Sequence, residues 1–98
     1  MNILIIMDKY LNSLYLIELE CIDEGNVFGL KLGEQVYASQ CYSNKYQFTK
    51  NPNLACVFYG KDDVIMWAKF IYSKGDFMPR IREIIRKIGP NIDFCLAA

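Results

Sequence analysis

A chain of 98 residues has room for one hydrophobic core and no second domain. With 53% hydrophobic and 14% aromatic residues it is too apolar to be a disordered chain. Eleven basic residues balance eleven acidic ones, so no global field exists to hold a phosphate backbone, and a DNA-coating role is disfavoured.

The four cysteines, Cys21, Cys41, Cys56 and Cys95, are dispersed and no C-x-x-C occurs. Structural zinc sites carry closely paired ligands, so the expectation is no metal and four free thiols acting as small hydrophobes. The apolar run at 3–7 is too short for a signal peptide and lacks basic residues before it. No stretch has the length of a membrane span, and N-x-[ST] is absent. These features point to a reducing cytoplasm and to no membrane partner. Ile, Asn, Lys, Tyr and Phe are abundant, and their codons are A/T-rich, which suggests a bacterial, phage or viral genome of that composition.

In chain order, 3–7 reads as a buried strand. In 14–22, Tyr15, Ile17, Leu19 and Cys21 alternate with Glu18 and Glu20, the pattern of a half-buried strand. A helix over 8–24 is the competing reading, and it fits the apolar spacing less well. Asp23-Glu24-Gly25-Asn26 then resembles a hairpin turn leading to a returning strand at 27–32. A third strand follows at 36–42, more polar and expected near an edge. Residues 43–53 read as a loop closed by Asn51-Pro52-Asn53, and 54–59 as a strand covered on both faces.

The period then changes. A helix is predicted from Asp62 to about Lys74, with Asp62 and Asp63 at its positive end and Gly75 as its C′ residue. A second helix is predicted from Pro79 to before Gly89-Pro90, because Ile81, Ile84, Ile85 and Ile88 follow helical spacing. The tail 91–98 suits an edge strand. The expectation is an α+β fold, a mainly antiparallel sheet of four to six strands with two C-terminal helices packed against it, in a single domain spanning 1–98.

Catalysis has little to stand on. Without histidine the commonest general base is missing. Asp62 and Asp63 suit helix capping, and Glu18 and Glu20 suit a solvated sheet face. Gly60-Lys61 lacks the rest of a phosphate loop. The expected protein is therefore not an enzyme and needs no cofactor.

Residues 35–60 contain no acidic side chain and interleave tyrosines with amides and lysines. Such a mixture favours contact, with Tyr37, Tyr42, Lys45, Tyr46, Phe48 and Lys50 as partner-binding residues. The alternative is a solvated loop whose aromatics fold back onto the core. The helix at 62–74 is apolar nearly all round, so Met66, Trp67 and Phe70 are expected to pack against a second copy in a homodimer. Arg80, Arg82 and Arg86 are candidates for anion contact, or simply the solvated face of an amphipathic helix. The functional expectation is a binding protein acting on a larger macromolecule, with a protein as partner. A phage or mobile-element inhibitor of a bacterial host system is its concrete form. A nucleotide, small-ligand or nucleic-acid binder using 37–53 is the alternative.

Overall fold

The alternating run that opens at Ser13 becomes the centre of the molecule. The structure is a computed structural model that describes residues 13–86 and 94–96. Strand β1, Ser13–Cys21, is flanked by β2, Gln35–Tyr42, and by β4, Phe77–Arg86. Outside them lie β3, Lys45–Thr49, and the short β5, Phe94–Leu96. The sheet is antiparallel throughout, in the order β3-β2-β1-β4-β5. One α-helix, α1, Lys61–Ser73, lies against β4 and β1. The fold is thus a small α+β domain with one described helix where two were predicted.

Both faces of β1 are covered. Ile17, Leu19 and Cys21 face α1, where they meet Val36, Ala38, Phe77, Val64 and Ile71. Burying each of the larger side chains contributes roughly 1.5–3 kcal/mol. Leu14 and Leu16 point the other way, onto Ile84, with Tyr37, Ala55 and Val57 against them. Glu18 is on this second face and is buried, its Oε2 4.0 Å from Arg82 Nε. The solvated carboxylate face expected for β1 is therefore corrected at Glu18 and kept at Glu20, which is exposed.

The predicted second helix is strand β4. It pairs with β1 continuously, from Ser13 opposite Ile85 to Cys21 opposite Phe77. Ile81 pairs with Ile17 on the helix side, while Ile84 packs on the opposite face. The isoleucines serve two faces of a strand and not one stripe of a helix, and their branched Cβ atoms favour that outcome. Pro79 fits because, among the described residues, β5 pairs only with Ile84 to Arg86, leaving that part of β4 at an edge.

The predicted strand 27–32 is a loop instead. Asn26 takes over the hydrogen bonds that a strand would give to a neighbour, accepting from Phe28 N and Leu30 N and donating to Leu30 O. Residues 54–59 are not a strand either. A 3₁₀ turn, Pro52–Leu54, leads into an extended stretch that enters between β2 and β1. Cys56 N donates to Ala38 O at 2.7 Å, and Phe58 exchanges two backbone bonds with Tyr15. The expected tail strand appears as β5. The run at 3–7 lies outside the described residues.

Candidate partner-binding groove

Residues 43–53, read as loop from the sequence, contain β3, the end strand of the sheet among the described residues. Ser43 and Asn44 both have positive φ, 50° and 60°, and make the tight two-residue connection from β2 to β3. On β2, Ser39 is an extra residue: Ala38 pairs with Phe48, but Gln40 pairs with the next residue back, Gln47. Such a bulge moves the following side chains to the other face. Cys41, opposite Tyr46, thereby joins Val36, Ala38 and Phe48 on the helix side of the sheet.

A groove of about 680 Å³ opens along this strand. One wall is the run from Asn44 to Phe48, and the other is Phe70 and Lys74 from the end of α1, with Asp76 beyond. Phe28 joins from the loop that Asn26 ties together. The floor is an aromatic cluster. Phe28 meets Phe48 edge-on at 5.1 Å between centroids and stacks on buried Phe77 at 5.9 Å. Tyr46 and Phe48 both approach Phe77 edge-on, at 6.4 and 5.6 Å. Offset and edge-on contacts of this kind stabilise beyond the area they bury.

The helix end that supplies the far wall is fixed by its cap. Lys74 N donates to Ile71 O, and Gly75 N to Tyr72 O, with Gly75 at φ 85° as the sequence predicts for C′. Lys74 Nζ then lies over the Phe70 ring, 4.9 Å from its centroid, and Trp67 meets Phe70 edge-on at 5.5 Å. The Tyr46 hydroxyl is pushed up to about 12, first by burial and then by the negative charge of Asp76. It therefore stays protonated, a donor and acceptor at the groove's edge.

The structure brings together only part of each predicted set. Lys45, Tyr46 and Phe48 line the groove with Phe70. Tyr37 packs on the opposite face against Leu14, Leu16 and Ile84. Tyr42 is exposed beside the hairpin turn. Lys50 pairs with Glu34 at 3.1 Å, and Glu34 is held below the usual carboxylate range by the Lys31 backbone N–H first and by Lys50 second. Trp67 is half-buried against the core, while Met66 is exposed.

Arg80 and Arg82 stand on β4, not on a helix, with Arg80 directly opposite Glu18. Carboxylates beside them make that face a poor anion site. The side chain of Arg86 lies outside the described set. Phe28, Lys74 and Asp76 were missed by sequence reasoning. The signal for Phe28 was Asn26 two residues earlier, an amide suited to hold a loop. Compared with known proteins, the chain matches no family model, no curated protein and no solved structure.

Proposed function

We propose that the protein is a non-enzymatic binding protein that holds an extended segment of a protein partner in the groove between β3 and the end of α1. The observation that carries this reading is the position of the groove. It runs along β3, the end strand of the sheet order among the described residues, over an aromatic floor. An edge strand offers backbone N–H and C=O groups to an added strand, and pockets beside it select alternate side chains. The lysines Lys45 and Lys74 with Asp76 give a mixed-charge rim, which suits a peptide better than a polyanion. A phage or mobile-element protein that blocks a host factor is the setting favoured by the A/T-rich composition. Self-association belongs to the same reading, through the exposed Met66 and Tyr72 of α1.

Selection from a random-peptide library tests it. Enriched peptides should bind with apolar side chains at alternating positions and shift amide resonances of 45–49. Phe70→Ala should weaken them by tenfold or more, as loss of a central aromatic anchor does. Peptides that perturb only residues far from β3 overturn the reading. Binding of oligonucleotides with a steep salt slope would instead favour the nucleic-acid alternative.

A further inference from the structure

Two cysteines far apart in sequence meet beside the groove. The Ser39 bulge turns Cys41 to the helix side of β2, and the backbone bond from Cys56 N to Ala38 O fixes the incoming stretch alongside. Both pack against the same core cluster, and each thiol is the largest influence on the other's ionisation. Both are reduced and only partly buried. Cys21 differs: it is buried, and its sulfur is engaged by Asp23 O and Asn26 Nδ2.

We infer that Cys41 and Cys56 form a thiol–disulfide exchange site, at which Cys56 attacks a low-molecular-weight disulfide and Cys41 resolves the adduct into an internal bridge. In the first step the Cys56 thiolate displaces one thiolate from the small disulfide, leaving a mixed disulfide on Cys56. In the second, Cys41 loses its proton and its sulfur attacks the Cys56 sulfur, releasing the second small thiolate. Two protein thiols are oxidised, one small disulfide is reduced to two thiols, and the protons pass to those thiolates. The order of attack follows from the asymmetry of the pair. Hydrogen bonds donated by the Cys41 thiol and backbone hold Cys56 down at about 7, while the same contact and burial raise Cys41. The thiolate is the nucleophile, so Cys56 acts first.

The probe is oxidised and reduced glutathione, with the full chain acid-quenched, alkylated and mapped by peptide mass. Expected is a Cys41–Cys56 linked peptide that appears as the ratio turns oxidising, with Cys21 still free. Before oxidation, limiting iodoacetamide at neutral pH should modify Cys56 roughly tenfold faster than Cys41 or Cys21, with a pH midpoint near 7. Cys41→Ser should trap glutathione on Cys56, and Cys56→Ser should abolish the adduct. The labelling of unsubstituted protein needs no variant to fold. Faster modification of Cys41, a bridge through Cys95, or no Cys41–Cys56 link in fully oxidising buffer overturns the assignment.

Discussion

Asn26 organises the loop between β1 and β2 with one side chain. Its amide bonds to Asp23 O, Leu30 O, Phe28 N and Leu30 N, all between 2.8 and 3.0 Å. Asn26→Ala strips partners from several backbone groups at once, so a loss of about 2 kcal/mol is expected in urea unfolding. Peptide affinity should fall with it, because Phe28 is placed by the same bonds. Asn26→Asp keeps the acceptor but loses the donor, and should fall between the two. Tyr46 makes a pH prediction. Its folded pKa, about 12, is above the free value of about 10. The folded protein keeps a proton that the unfolded chain has lost, so this contribution to stability is complete below about pH 10 and disappears as pH rises towards 12. The Tyr46 phenolate should appear late in an absorbance titration, and Asp76→Asn should move it downward. Since Tyr46 is half-buried against Phe77, Tyr46→Ala should cost stability as well as binding, whereas exposed Lys45→Ala should leave the melting temperature unchanged.

At the scale of elements, α1 ends where its sequence says it should. Gly75→Ala meets no neighbour within 4 Å but must adopt φ near 85°. A cost of about 1–2 kcal/mol in thermal or urea unfolding is expected, from backbone strain alone. That helix was legible because Asp62, Asp63, the Val64–Ile71 stripe and Gly75 agree with one another. β4 was not legible, because Ile81, Ile84 and Ile85 satisfy a helical period by coincidence when both faces of a strand are covered. Length and β-branching were the better arbiters there. The β2–β3 hairpin was hidden for another reason: Ser43-Asn44 makes its turn without the glycine that usually announces one. The groove was half visible, through Tyr46 and Phe48 on β3. Its other half depended on Asn26 converting an apparent strand into a loop, and on the end of α1 arriving opposite, a tertiary fact that no local pattern carries.

For the whole molecule, the exposed flank of α1 sets the self-association test. Met66 and Tyr72 are 56% and 55% exposed, and Met78 is 44% exposed. If this flank closes a two-fold dimer, light scattering should report twice the 11.4 kDa mass at micromolar concentration. Met66→Glu with Tyr72→Glu should return it to monomer. The way the sheet is joined has its own consequence. β1 is paired with β4 from Ser13 to Cys21, but among the described residues β2 meets β1 only at Glu18, Leu19 and Glu20, and beyond that the stretch from Cys56 to Phe58 comes between them. Opening the β2–β3 hairpin therefore breaks few bonds, while separating β1 from β4 breaks the core. Amide hydrogens of β1 and β4 should exchange with solvent at the rate of global unfolding, and those of 40–49 much sooner, as one cooperative unit. The groove then sits on the part of the protein that opens first, and an occupant would be read out as slowed exchange there before any change in the melting temperature.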